Sequence, residues 1–597
     1  MKTNSLQKFT AVAALLSVLT FGAATAFAQR GAGAGNADHQ EMLAKLGITE
    51  PLRPGPAGSD VNAPNYANYD ETKAMAKTKP PELLAMNDGR KITTAAMWEQ
   101  HRKELFEIFD REFYGRLPEA AKTIKVTWEV TGTTQGMSGN IPTITRTLVG
   151  HVDPTYYPAI TVNIGASVTT PANAAGKVPV IITWGGGGGG APRGAAAPGA
   201  PGARGAGGAP AAPPNLLSIE NLKTALTLTD AQVAQITPLL DAITKEQQGV
   251  TDLQTKSTDA RAAGIAAITA VLNEAQKPML AQVLNPAPAA RGGGARGAGG
   301  GGNNPPFPNG TTSYQAAAIS LGWGYGSLNP GSIQADSGGN NLMLGIIGLI
   351  NKGESRKPDD WGALRAWAWG ATKLIDFFET DSLVDAKQVA FEGHSRYGKA
   401  TIVTMVYEPR TANGFVSSSG EGGAHIWRHL VGEQVESLAG TNEYHWMAGN
   451  FLKYAGPLTV NDLPADAHQF VALVAPRNVF ISGGEYVEFN GAPGHPESRY
   501  SGESWQDTPG TFMATAGASP VWKLLGKKGL SNDRLNLHFD VVPDPIAVRA
   551  QMPPPLTPLI DGDIAFRQHD QGHTDAPNWS TFIEFASRHF KSPGFKN

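Results

Sequence analysis

Cysteine is absent from all 597 residues, so no disulfide can form and no thiolate can ligate a metal. The fold must be stabilised by burial alone, which a domain of this length can supply. Charge is also scarce. Charged residues make up 17% of the chain, with a net charge of −3 and no long Lys/Arg run, which argues against nucleic-acid binding. Long apolar runs are missing too, apart from the first residues, so no other segment reads as a bilayer span. Two chemistries find no support in the motifs. Gly185–Gly190 is not followed by G-K-[ST] and so is no phosphate loop. Asp462, Asp466 and His468 lack further convergent ligands and read as hydrogen-bonding residues rather than a metal site. No cofactor or metal is expected.

What is present starts with an export signal. Lys2 and Lys8 precede an apolar run over Ala11–Ala24 and the small-residue site Ala26-Phe27-Ala28, which reads as a signal peptide over 1–28. Export without disulfides suits a bacterial periplasmic or secreted protein, expected to be a monomer with no membrane span after cleavage. The segment 29–64 is Gly-, Ala- and Pro-rich and is expected to be a flexible lead-in. Residues 65–184 then show an early amphipathic helix over Trp98–Tyr114 and strands at Ile124–Val130, Ile144–Val152, Ala159–Ile164 and Val178–Trp184.

The pattern breaks at two Gly/Ala/Pro-rich tracts, 185–214 and 285–312, which read as linkers. Between them, 215–284 carries apolar residues at helical spacing, such as Leu228, Val233, Ile236 and Leu240. A small inserted helical hairpin or bundle is expected there, and its Leu228-Thr229-Asp230-Ala231-Gln232 resembles the LTxxQ motif of periplasmic helical stress proteins. From 313 to 597 strands and helices alternate again. The expectations are a strand at Ala317–Gly322, a helix over Trp361–Phe378 capped by Asp360, strands at Gly414–Ser418 and Asn478–Ser482, and a last helix over Trp579–Phe590. This alternation predicts an α/β three-layer sandwich with a mostly parallel sheet.

The most informative stretch is Gln388–Tyr407. A short strand, Gln388–Phe391, and a helix starting at Arg396 enclose Gly393-His394-Ser395-Arg396-Tyr397-Gly398-Lys399. A serine on a glycine-flanked strand-to-helix turn resembles the nucleophile elbow of α/β-hydrolases. The spacing G-x-S-x-x-G is one residue wider than the usual motif. With Arg396 and Lys399 it matches the G-x-S-R-x-G-K signature of the glucuronoyl esterases, carbohydrate esterase family 15. The resemblance extends, outside the insertion, from about Trp98 to Phe590, through Asp359–Leu364, Ser419–Gly423, Leu463–His468, Trp505-Gln506-Asp507, Pro520–Lys527 and Gly572-His573.

The resemblance implies an α/β-hydrolase fold and a serine esterase acting on 4-O-methyl-glucuronoyl esters between glucuronoxylan and lignin alcohols. Acetyl esters on the same fold, or a non-catalytic sugar-binding role, are the alternatives. Ser395 is the expected nucleophile, activated by a base. Gly572-His573 through Trp579 matches the family's G-H-x-x-x-x-x-W, which makes His573 the base, with His569 and His468 as competitors. Fungal members carry a glutamate immediately before S-G-x-G-G, where this chain has Ser418. Other bacterial members resemble a second arrangement, an acid two residues before a tryptophan, here Glu503-Ser504-Trp505. Glu503 is therefore the expected acid, with Glu421, Glu485 and Glu488 as rivals. The backbone N–H of Arg396, and its guanidinium, are expected at the oxyanion. By resemblance, Lys399, Glu433 and Trp505 contact the sugar, with Glu443 as an addition. Arg428 reads equally as structural or functional. The sequence leaves open whether the Gly185–Gly190 tract supplies the second oxyanion donor.

Overall fold

Val178–Trp184, with no charged residue in seven positions, forms strand β4 at the middle of a nine-stranded sheet. The computed structural model describes residues 34–56, 65–185, 305–485, 503–530 and 541–596, with 233, 236–238 and 539 in addition. The signal peptide expected over 1–28 lies outside the described residues. Among the described residues, no helix is long and apolar enough to cross a membrane.

The sheet begins with an antiparallel meander, β1 Val126–Ser138, β2 Ile141–Val152 and β3 Asn163–Pro171. Then come β4, β5 Gly324–Leu328, β6 Val384–His394, β7 Asn413–Ser417, β8 Asn478–Gly484 and β9 Ile564–His569. The spatial order is β1-β2-β3-β5-β4-β6-β7-β8-β9. From β5 to β9 every pairing is parallel, so the sheet is mostly parallel with an antiparallel edge. The principal helices are α1 Ala34–Lys45, α2 Ala95–Glu112, α3 Tyr314–Ser320, α4 Ala363–Thr380, α5 Arg396–Tyr407, α6 Thr508–Leu524 and α7 Trp579–Ser587.

Successive strand residues face opposite sides, and both sides are buried. Val180, Ile182, Val389, Phe391, Val416, Val479 and Ile481 pack with residues of α4, α5 and α6 in one core. Their neighbours Ile181, Ala390, Phe415 and Phe480 pack with α3 and α7 in a second. That alternation, with helices on both faces, makes the α/β three-layer sandwich.

Three expectations are corrected. Ala317–Gly322 is not a strand: Ser313 caps α3 by accepting from the Ala316 N–H at 3.2 Å, and the alanine run continues as helix. The strand follows, as β5. Helix α4 begins after Gly362, without a side-chain cap, while the Asp360 carboxylate accepts from the Lys357 N–H at 2.7 Å instead. The expected lead-in 29–64 contains α1, whose Met42 and Leu43 are buried. Asp38 accepts from the Tyr444 hydroxyl at 2.6 Å, and Arg53 donates to the carbonyls of Tyr454 and Leu458.

Residues Gly202–Gly302 form a second compact unit. The insertion expected over 215–284 falls within it. Val233 and residues 236–238 are helical there, and the rest, including most of both glycine-rich tracts, lies outside the described residues.

Candidate active site

Ser395 stands between β6 and α5 with φ 59° and ψ −129°. A non-glycine residue there carries strain of about 1–3 kcal/mol, held by its surroundings. Its N–H donates to the Ser417 carbonyl at 2.9 Å and its carbonyl accepts from the Lys399 N–H at 3.1 Å. The flanking glycines are needed for close approach. A Cβ on Gly393 would lie 2.1 Å from the Tyr397 carbonyl oxygen, and one on Gly398 2.6 Å from that of Ser417. The wider glycine spacing thus seats the first turn of α5 against the end of β7.

His573, on the loop between β9 and α7, brings its ring to 4.2 Å from that of His394, the residue before Ser395. Burial, with the charges of His573 and His569, keeps His394 well below the usual imidazole range. His394 therefore stays neutral, and the ring that meets a carboxylate here is that of His573. Its Nδ1 lies 3.2 Å from Glu503 Oε1. Glu503 is fully buried just before α6. It sits so near the end of β8 that a Cβ on Gly484 would lie 2.0 Å from its Cγ. Ser418, at the fungal acid position, donates its hydroxyl to the same Glu503 Oε1. The residue that cannot be the acid therefore helps to hold the one that pairs with His573.

The competitors go elsewhere. His569 is buried, with Nε2 2.8 Å from the Gly572 carbonyl and Nδ1 2.9 Å from the Asn578 amide. His468 donates to the Pro81 carbonyl at 2.8 Å, and burial pushes it down to about 4. Glu421 contacts His425 rather than His573. Glu485 lines a separate groove with Arg549, Met552 and Gln568, and Glu488 lies outside the described residues.

The Arg396 guanidinium is half exposed and donates to Asp336 at 2.7 Å. Burial works against its charge, but the Asp336 carboxylate outweighs this and raises its pKa. Lys399 is buried: its ammonium donates to Glu433 Oε2 at 2.8 Å and to the Ser419 carbonyl at 2.7 Å. Glu433 Oε2 also accepts from the Glu421 N–H at 2.9 Å. Lys399 and Glu433 thus form one ion pair beneath the elbow. Trp505 is half-buried against the small cluster of Ala67, Tyr69, Ala74 and Val431. Glu443 acts on Arg396 through its charge. Arg428 is structural, donating to Asp466 and to the carbonyls of Leu463 and Ala465. Asp462 caps Thr459, so Asp462, Asp466 and His468 serve three different partners. Gly185 donates its N–H to the Leu328 carbonyl at 2.9 Å, which engages the first donor of the glycine tract in the sheet.

Sequence reasoning missed a buried ionic chain behind Glu503. Asp507 Oδ2 lies 2.5 Å from both His425 Nε2 and His429 Nδ1. On the outer side, Glu421 lies 2.8 Å from His425 and Glu71 3.0 Å from His429. The four-residue spacing of His425 and His429 was the available signal. Two histidines and an aspartate that converge in this way are possible metal ligands. Tetrahedral ligation at about 2.0–2.1 Å, however, separates donor atoms by about 3.3 Å. Contacts at 2.5 Å are those of ion pairs, and the cluster works as a brace between the loop after β7 and the start of α6.

Burial pulls both imidazoles down, but the Asp507 charge outweighs it and raises His425 to about 10 and His429 to about 9. A pKa raised on folding stabilises the folded state fully below the unfolded value, about 6.5, and the gain is lost as pH rises through the folded value. The unfolding midpoint is therefore expected to fall progressively between about pH 7 and 10. His429→Gln should flatten that slope in thermal melts taken across pH, and an unchanged slope would show that the brace stays neutral.

Several known proteins resemble this chain. The family model for the glucuronyl esterase of fungi matches residues 356–506. The carbohydrate esterase MZ0003 from an unknown prokaryotic organism is 30% identical over 275 residues, 46% of this chain and 55% of the relative. The 4-O-methyl-glucuronoyl methylesterase 1 of Sodiomyces alcalophilus is 29% identical over 36% of this chain and 41% of its own length. The chain thus spans about half the length of these curated relatives. Among solved structures, a glucuronoyl esterase from Solibacter usitatus shares the fold at 24% identity, with a TM-score of 0.54, 87% of this chain and 100% of that one covered. The CE15 glucuronoyl esterase from Teredinibacter turnerae T7901 superposes with a TM-score of 0.62 at 32% identity, covering 93% of this chain and 99% of that one. With that identity over nearly the whole of a solved relative, the chain belongs to carbohydrate esterase family 15.

Proposed function

We propose that this protein is a serine esterase that hydrolyses 4-O-methyl-glucuronoyl esters of the kind that join glucuronoxylan to lignin alcohols. The observation that carries the reading is the His573–Glu503 pair at 3.2 Å beside the Ser395 elbow. With Nδ1 turned to Glu503, Nε2 is the nitrogen left for the Ser395 hydroxyl. Ser395 attacks the ester carbonyl at C6 of the uronate while His573 takes its proton. The oxyanion forms beside the Arg396 N–H and guanidinium, where a preorganised cation contributes most. His573 returns the proton to the departing alcohol, then activates the water that releases the acid from the acyl-enzyme. Glu503 holds the imidazole and its positive charge throughout. Lys399, Glu433 and Trp505 serve the sugar, with Glu443 at the rim. The expected signal peptide supports a periplasmic or secreted location, where such a polymer is met.

The test compares benzyl and methyl glucuronate esters with an acetylated xylo-oligosaccharide. A kcat/KM at least 100-fold higher on the uronate esters is expected, about 2.7 kcal/mol of transition-state discrimination. Preference for the acetate would transfer the site to the other class of carbohydrate ester.

A further inference from the structure

One carboxylate near the elbow gathers three donors from two distant parts of the chain. Asp336, in the segment after β5, accepts from Arg396 Nη1 through Oδ2 at 2.7 Å. Through Oδ1 it accepts from the Trp446 indole at 2.7 Å and lies 3.1 Å from His445 Nε2. Trp446 is almost buried. Its ring centre lies 5.9 Å from the Arg396 guanidinium carbon and 5.6 Å from the Lys399 ammonium, within cation–π reach of both. The two cations of the G-x-S-R-x-G-K signature therefore share one aromatic surface, and Asp336 pins that surface at its N–H.

Arg396 needs such a support. Its side chain is 50% exposed, and a long stem at that exposure samples many rotamers unless its head is held. A displacement of about 1 Å in a group that stabilises charge in the transition state can cost about 100-fold in rate. Trp446, fixed through its indole N–H, gives the guanidinium a floor, and the carboxylate sets its direction in the plane.

We infer that Asp336 is a positioning residue for the esterase reaction: it orients the Arg396 guanidinium towards the oxyanion and, through Trp446, sets the surface against which Lys399 rests. The inference rests on the oxyanion role proposed for Arg396. His445 completes the carboxylate's shell. Both oxygens of Asp336 are thereby engaged, one by Arg396 and the other by Trp446 and His445.

The test is a double-mutant cycle on a benzyl glucuronate ester. Asp336→Asn is expected to lower kcat by about 10- to 100-fold with KM changed only a few-fold. Asp336→Glu should recover part of the loss. The double variant with Arg396→Ala should be no slower than Arg396→Ala alone, because both changes remove the same interaction. Additive losses would show that Asp336 acts by some other route, and a kcat within twofold of the parent in Asp336→Asn would overturn the inference outright. An unimpaired Arg396→Ala would remove the oxyanion role of Arg396 itself, and this inference with it. If Asp336→Asn does not fold, Trp446→Phe takes its place in the cycle, since it keeps the ring but removes one donor. A smaller fall in kcat is then expected, again non-additive with Arg396→Ala, and an unchanged kcat counts against the inference.

Discussion

Replacing Ser395 by alanine is expected to lower kcat on a benzyl glucuronate ester by about ten thousand- to a million-fold, with the fold retained. The loss is large because no neighbouring group can stand in for the hydroxyl. His573 would be left to activate water alone, and the two-step route through an acyl-enzyme disappears. The fold should survive because the elbow is held by its backbone: the N–H of Ser395 on Ser417, its carbonyl on Lys399, and the close seats of Gly393 and Gly398. A serine-reactive fluorophosphonate should label the parent at Ser395 and leave Ser395→Ala unlabelled. Residual turnover within tenfold of the parent, or labelling elsewhere, would place the nucleophile on another residue and revive a sugar-binding role for the elbow.

The second large effect concerns the acid. Glu503→Ala is expected to reduce kcat by about 1,000- to 10,000-fold. The imidazolium that forms during the reaction would lose its partner, and the neutral ring would lose the contact that fixes its tautomer. Part of the damage would come from the Ser418 hydroxyl, left without its acceptor at a cost of about 1–3 kcal/mol. Glu503→Gln keeps an acceptor there and separates the two effects. The sharper arm introduces Ser418→Glu into Glu503→Ala. The side chain at 418 already reaches the oxygen that faces His573, so a carboxylate two carbons longer should restore at least tenfold of the lost kcat. No recovery, with folding intact, would mean that only the loop before α6 can present the acid correctly.

The parts legible in the sequence were those in which one local pattern decides the structure. Val178–Trp184 is apolar apart from Thr183 and became β4. Arg396–Tyr407 follows a glycine-flanked serine and became α5 with those bounds. Short alanine-rich runs carry no periodicity, so Ala317–Gly322 passed for a strand although Ser313 starts a helix there. Asp360 lies three positions before the first residue of α4, and nothing local distinguishes a cap from a turn acceptor. The docked segment 34–56 was hidden by its Gly, Ala and Pro content, since burial of Met42 and Leu43 depends on partners far along the chain. Distance also hid the supporting residues. Asp336 meets Arg396 across 60 positions and Trp446 across 110, and Asp507 meets His429 across 78. The reactive residues sit in short motifs, whereas the groups that hold them come from folding.

Strands β7 and β8 run side by side, with Ser417 level with Ser482. Ser418, just after β7, and Glu503, shortly before α6, meet at one carboxylate oxygen, and that oxygen also faces the His573 imidazole. Ancestry can exploit that. A lineage could acquire a carboxylate at one site while still relying on the other, pass through a doubly provided stage, and later lose the older one without ever going through an inactive enzyme. Ser418, with its hydroxyl on Glu503, has the form expected of a vacated post in such a history. On that reading the acid belongs to a location in space, and more than one stretch of chain can inherit it.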